Sequence, residues 1–229
     1  MSDIFYLPNP PIFRGNIPKN IYNSVMSEIK DIEKNGSPNR HNDHLVGIIE
    51  REYRLVKSRD VFVPFLKDML NQYLMKVYKD DKGNSSRFYN TIRNKKVWNV
   101  SEIWVNLQKK YEYNPVHNHG GDFSFVSWME LPYNISDEQN VKNVKYGRAK
   151  GMASTFEFVY TNILGEIGSF CIPVEKGWEG RLIIFPARLQ HQVYPFQTSD
   201  NYRISVSGNF SHQEDDPYGQ NRFSQYVEG

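Results

Sequence analysis

Apolar residues recur at three- and four-residue steps in the first third of the chain. Ile21, Val25, Ile29 and Ile32 form one stripe behind Pro18, predicting an amphipathic helix that stops at Asn35-Gly36. A second stripe, Phe62, Phe65, Met69, Tyr73 and Val77, predicts a helix over about 61–78, with Ser58 and Asp60 as capping candidates. The segment HNDHLVGIIEREYRLV between them fits an extended run or a short helix equally well. From Trp98 the period changes to two. In VWNVSEIWVNLQ, Ile103, Val105 and Leu107 take one face and Trp104, Asn106 and Gln108 the other. FSFVSWMEL, TFEFVYTN, GSFCIPV, RLIIFP and YRISVSGNF follow as short strands rich in β-branched and aromatic residues, separated by Pro, Gly and Asn. Helices followed by a run of strands predict an all-β core with flanking helices, an α+β arrangement built on an antiparallel barrel or sandwich. The polar stretch from Tyr133 to Ser154 is long enough to be a disordered insertion or a lid.

Composition narrows this picture without redirecting it. A chain of 229 residues, 39% hydrophobic and 14% aromatic, supports one sizeable core rather than two domains. A formal charge of +2 offers no broad field for nucleic acid. Cys171 is the only cysteine, so no internal disulfide can form and nothing points to an oxidising compartment. The N-terminus lacks the basic start and apolar core of a signal peptide, and no apolar run approaches the ~20 residues of a membrane span. The expectation is a soluble, cytoplasmic protein with no membrane partner.

Candidate chemistry enters with the histidines. In NPVHNHGGDFSFV, His117 and His119 stand two apart, so an extended backbone presents both imidazoles to one volume. Gly120-Gly121 permits a sharp turn that could swing Asp122 toward the same point. Histidine nitrogens with one carboxylate and open positions suit Fe(II). His191, in RLIIFPARLQHQVYPF, lies just beyond an apolar strand that needs no histidine for packing, and is the candidate distant ligand. In NYRISVSGNF, Arg203, Ser205 and Ser207 share a face opposite Ile204 and Val206. An arginine facing inward is costly unless it meets an anion, and its planar fork matches a carboxylate, so a dicarboxylic cosubstrate would satisfy it. His41, His44 and His212 read as surface residues, and Trp104, Trp128, Phe125 and Tyr113 as candidates for a dry wall around the metal.

The order of a histidine motif, a distal histidine and a downstream Arg-x-Ser resembles the 2-oxoglutarate and Fe(II)-dependent oxygenase superfamily. Over roughly Trp98 to Phe210 the wording NPVHNHGGDFSFVSWMELPY, IIFPARLQHQVYPF and DNYRISVSGNF is similar to oxygenases common in bacteriophage genomes and marine bacteria. The resemblance implies a double-stranded β-helix, a cupin-like jelly roll braced by the N-terminal helices. It divides a single domain, 1–229, into a helical support region (1–97), a jelly-roll core (98–210) and a polar tail (211–229). It implies that His117 and His191 bind iron, that Arg203, helped by Ser205, binds the far carboxylate of 2-oxoglutarate, and that Asn106 lines the cosubstrate pocket, with ascorbate in a supporting role. One departure stands out: His119 occupies the position where the superfamily motif has an acid. Three ligand sets follow: His117, His119 and His191; His119 paired with Asp122; or His117 and Asp122 closing the triad across the Gly-Gly bend. Sets containing both histidines are preferred.

The implied activity is hydroxylation of a substrate with release of succinate and CO2. The substrate, whether protein, nucleic acid or small molecule, is not specified by these residues. Two rivals remain: a cupin-like three-histidine dioxygenase that needs no 2-oxoglutarate, and a non-enzymatic β-barrel that binds a ligand or partner. The tail could close over the site or contact a second subunit in a homodimer. If the gene is a phage's, the compartment is the host cytoplasm.

Overall fold

A computed structural model describes residues 11–42, 46–78, 98–145, 151–162 and 164–212. Two antiparallel sheets face each other. The major sheet has six strands in the order β1-β8-β5-β10-β3-β2, and the minor sheet has four, β4-β9-β6-β7. The strands are β1 (Phe13–Asn16), β2 (Arg51–Arg54), β3 (Trp98–Gln108), β4 (Asn114–His117), β5 (Phe123–Glu130), β6 (Phe156–Thr161), β7 (Ile167–Ile172), β8 (Arg181–Pro186), β9 (Gln190–Val193) and β10 (Arg203–His212). This is the antiparallel sandwich expected from the strand run, in the jelly-roll form that the resemblance implies. The undecided segment at 41–56 contributes β2, so strands as well as helices come from the first 97 residues.

Helix α1 (Lys19–Asn35) and α2 (Arg59–Tyr78) lie against the outer face of the major sheet. Helix α1 begins after Pro18 and ends at Gly36, whose φ of +73° lets its N–H return to the Ile32 carbonyl. Val25, Ile29, Phe62, Leu66 and Leu70 pack on Ile103, Val105, Leu107, Ile204 and Val206, all buried. Burying each such side chain contributes about 1.5–3 kcal/mol. Ser58 serves α2 differently from a capping residue, since its hydroxyl donates to the buried Glu28 carboxylate at 2.7 Å. The N–H groups of Val56, Lys57 and Ser58 donate to the same carboxylate. Burial alone would raise the Glu28 pKa, but these hydrogen bonds hold it below the ordinary carboxylate range. The helix pair is thereby clamped across its connection.

A second apolar cluster, including Trp128, Phe156, Phe158, Ile183 and Phe185, fills the space between the sheets. The same strands therefore bury both faces, which is why β5 is buried at seven consecutive positions. The polar stretch after Tyr133 forms two short helices, α3 (Ile135–Gln139) and α4 (Lys142–Lys145), with 146–150 outside the described residues. Glu138, at 0% exposure, fastens it to the barrel by accepting the N–H groups of Gln197 and Thr198 and the Thr198 hydroxyl. Of the polar tail (211–229), Ser211 and His212 end β10, and residues 213–229 lie outside the described residues, as does His44. Among the described residues no helix is long and apolar enough to cross a membrane.

Candidate metal centre

Strands β4 and β9 pair antiparallel with His117 directly opposite His191, and His119 lies just past β4, its N–H donating to the Ala187 carbonyl at 2.9 Å. One nitrogen from each of the three imidazoles lies within 4.8 Å of the others. His119 Nε2 and His191 Nε2 are 3.1 Å apart. Two nitrogens on one first-row cation at about 2.0–2.1 Å, roughly at right angles, would stand about 3 Å apart, so the spacing fits a shared ion. The outward nitrogens fit as well. His117 Nδ1 is 2.7 Å from the Pro115 carbonyl and His191 Nδ1 is 3.0 Å from the Leu189 carbonyl. A carbonyl only accepts, so in both rings Nδ1 carries the proton and Nε2 keeps its lone pair for the shared volume.

Burial keeps these rings neutral. Desolvation pushes His191 down to about 2, with repulsion from His117 and His119 as lesser causes. It pushes His119 down to about 3, His117 adding to the effect, and lowers His117 too. Phe156 stacks on His191 with centroids 5.2 Å apart, and Phe185 meets the same ring edge-on at 5.0 Å. Neutral imidazoles backed by apolar rings are the ligand state a divalent cation requires.

Asp122 does not join the cluster. Gly121, at φ +86°, presses the turn so close to β10 that a Cβ there would lie 2.7 Å from the Phe210 carbonyl oxygen. The Asp122 N–H donates to Phe210 O at 2.8 Å and its carbonyl accepts from Ala187 N at 3.1 Å. The bend thus feeds residue 122 into the sheet ladder instead of folding it back over the histidines. Among the described residues the converging donors are His117, His119 and His191.

The cluster opens into a cleft of ≈ 200 Å³. Trp104, Phe125 and Trp128 line it as expected for a dry wall; Tyr113 is 38% exposed and does not. Asn106, Ser205 and Ser207 supply a polar wall from the inner face of β3 and β10. Asn106 donates through Nδ2 to Ser205 Oγ at 3.1 Å, while its buried Oδ1 has no partner among the described residues. Arg203 lies further along the same face, 2% exposed and not part of the lining. Its guanidinium donates to Gln108 Oε1 (3.0 Å), Tyr133 OH (3.0 Å), Ser154 O (3.4 Å) and Tyr194 O (2.8 Å). These acceptors are neutral, so this cation meets no carboxylate among the described ion pairs, and its forked face is closed by tyrosine and backbone oxygens.

His41 contradicts its reading as a surface residue: it is 1% exposed, lines the cleft and sits 5.5 Å from the Trp104 ring. Arg54 Nε donates to His41 Nδ1 at 3.1 Å, and His41 Nε2 faces Glu102 at 3.5 Å. His212 closes β10 opposite Trp98. Glu52, Glu102 and Asn114 also line the cleft and no motif signalled them. Glu52 stands opposite Asn106 in the β2–β3 pairing, a juxtaposition visible only once the undecided segment is known to be a strand.

The comparisons agree with this geometry. Residues 102–209, from β3 to β10, match the family model described as "Putative 2OG-Fe(II) oxygenase". A Pseudomonas putida prolyl-4-hydroxylase superposes with a TM-score of 0.52 at 12% identity, covering 88% of this chain and 92% of that one. AviO1 from Streptomyces viridochromogenes gives 0.48 at 11% identity, covering 90% of each chain. SnoN, a non-heme alpha ketoglutarate dependent epimerase from nogalamycin biosynthesis, gives 0.47 at 10% identity over 87% of this chain and 76% of that one. No curated protein matches the sequence. The strand order and the hydroxylase superposition define a double-stranded β-helix. The matched segment, residues 102–209, is similar to the 2OG-Fe(II) oxygenases, an oxidoreductase class. The 2OG-Fe(II) oxygenase family implies Fe(II) and 2-oxoglutarate as cofactor and cosubstrate.

Proposed function

We propose that His117, His119 and His191 are the iron ligands of a 2-oxoglutarate-dependent dioxygenase that hydroxylates its substrate, R–H + 2-oxoglutarate + O2 giving R–OH + succinate + CO2. The observation that carries this reading is the convergence of three neutral imidazoles, two of them with Nδ1 held by a backbone carbonyl. Bound iron and 2-oxoglutarate together supply the oxidising power drawn from dioxygen. The protein's own part is positional. Pro115 and Leu189 carbonyls hold the tautomers that leave Nε2 free, and Phe156 and Phe185 fix the plane of His191. Trp104 and Trp128 exclude water from the reacting volume. Asn106 and Ser205 face the cosubstrate, and Arg203 provides the positive charge behind them. Arg203 would hold the far carboxylate by giving up a neutral acceptor, Tyr133 OH or Tyr194 O, for a charge-assisted bond. Asp122 serves the turn.

Ascorbate supports turnover in this reading by keeping the iron reduced. The enzyme acts in the cytoplasm, on a protein, nucleic acid or small molecule, as a monomer or homodimer. Oxygen uptake by the iron-loaded protein, with and without 2-oxoglutarate, tests the activity. Uptake that depends on 2-oxoglutarate and yields succinate is expected. Uptake indifferent to 2-oxoglutarate would overturn the proposal in favour of a three-histidine dioxygenase acting on a directly bound substrate.

A further inference from the structure

The end of the cleft formed by β2 and the approach to β4 carries polar groups beyond the iron ligands and the Asn106–Ser205 pair that faces the cosubstrate. Glu52 is 1% exposed and faces the same cavity as the histidines. It lies directly opposite Asn106, whose side chain is also in the cavity wall, in a residue 4% exposed, with an Oδ1 that no described donor reaches. Asn114, three residues before His117, adds a second buried amide oxygen without a partner. Gly47 lets the chain pass close against this corner: a Cβ there would overlap Asn114 Oδ1 and come within 3.2 Å of Glu52 Oε1. The bridge between Ile48 and Tyr113 pins that glycine in place.

The surroundings select what can fill this corner. Among the described residues lining the cleft there is no lysine or arginine. Glu102, the other acid in the wall, is already matched by Arg54 at 3.0 Å and His41 at 3.5 Å. Among the described residues the Glu52 carboxyl has only a long contact from Asn42 Nδ2 at 3.4 Å. A carboxyl and two amide oxygens therefore converge with acceptors to spare. Ammonium and guanidinium groups carry several N–H donors and no acceptor, whereas a second carboxylate would meet only like polarity. An isolated buried carboxylate is expensive, and an incoming cation is what makes ionisation there favourable. Consistently, burial, with Glu112 adding to it, holds Glu52 up at about 8, so without a partner the group rests largely neutral.

We infer that the substrate carries a positively charged nitrogen, an amine or guanidinium, which Glu52 binds as its counter-ion with the amide oxygens of Asn106 and Asn114 beside it. This assigns Glu52 as a specificity residue of the same site and so rests on the oxygenase reading for its meaning. Its test needs neither iron nor turnover.

Methylguanidinium and its neutral isostere methylurea are titrated into the metal-free protein at pH 7.5, following binding by ligand-observed NMR and calorimetry. Methylguanidinium is expected to bind at least ten-fold more tightly than methylurea. E52Q should erase that preference, Glu52→Asp should retain it, and thermal melting establishes that each variant is folded. Equal binding of the two probes to the unaltered protein, or a preference that survives in folded E52Q, overturns the inference. Because the unaltered protein alone decides the first of these, failure of a variant to fold leaves the test intact. A negative result leaves 2-oxoglutarate-dependent oxygen uptake untouched, and loss of that uptake leaves the cation preference standing, so the two failures are distinguishable.

Discussion

The outer and inner faces of the major sheet are made by alternate residues of the same strands, yet they differ in kind. On β3 the outer residues Ile103, Val105 and Leu107 meet α1 and α2 through apolar contact alone. The inner residues Trp104 and Asn106 line the cleft, and Gln108 holds Arg203. On β10 the outer Ile204 and Val206 stand against the inner Arg203, Ser205 and Ser207. The outer face accounts for cohesion and tolerates volume-conserving exchange. On the inner face Asn106 bonds Ser205 and Gln108 accepts from Arg203, so the same alternation that folds the sheet also aims the chemistry.

If the two faces divide the work this way, substitutions on them should separate function from stability. The largest effect is expected from His191→Ala, which should weaken Fe(II) binding by more than ~100-fold while leaving the metal-free fold in place, as read by anaerobic titration and by melting. Phe62→Ala on the outer face should do the reverse, losing about 3–5 kcal/mol in denaturant unfolding while the folded fraction still binds iron. Arg203→Ala breaks the simple division. It strands Gln108, Tyr133, Ser154 and Tyr194 oxygens in the interior, so a loss of about 3–5 kcal/mol is expected together with loss of 2-oxoglutarate dependence. An Arg203→Ala protein of unchanged stability would show that those bonds contribute nothing.

A smaller and signed effect lies in pH. In the metal-free protein His191 sits at about 2 against an ordinary 6.5. Below pH 6.5 the unfolded chain takes up a proton that the folded chain refuses, so stability falls as pH falls, by at most about 1.4 kcal/mol per unit for this group. Above that pH the contribution is flat. Glu52 acts oppositely, at about 8 in the fold against an ordinary 4.5, so stability falls as pH rises between those values. Denaturant unfolding of the metal-free protein across pH 4–9 should show both arms, and E52Q should flatten the alkaline one. The smallest effect is expected from Gly121→Ala. Its left-handed backbone and the nearby Phe210 oxygen predict a loss of about 1–3 kcal/mol in the same assay, without a change of ligand set.

Much of the outer face was readable from the sequence, because a helical stripe such as Phe62, Phe65, Met69 and Tyr73 and the alternation in β3 and β10 both follow from burial on one side. The histidine convergence was readable from the i, i+2 spacing at 117 and 119 together with an unneeded imidazole at 191. Other parts depend on contacts between distant segments. His41 is buried because Trp104 and Glu102 come to it from β3. Asp122 enters two of the three candidate ligand sets through a glycine turn whose direction is set by its hydrogen bonds to Phe210 and Ala187. The closure around Arg203 uses Tyr133, Ser154 and Tyr194, which flank the polar stretch and the strand β9 and carry no local signature.

The most direct measurement is the visible absorption of the protein on anaerobic addition of Fe(II) and then 2-oxoglutarate, for the unaltered chain, His119→Ala, His191→Ala and Asp122→Ala. A weak charge-transfer band that forms in the unaltered protein and in Asp122→Ala, and is lost in both histidine variants, is the expected result. A band that persists without His191, or that vanishes with Asp122 while His119→Ala retains it, would contradict the three-imidazole site.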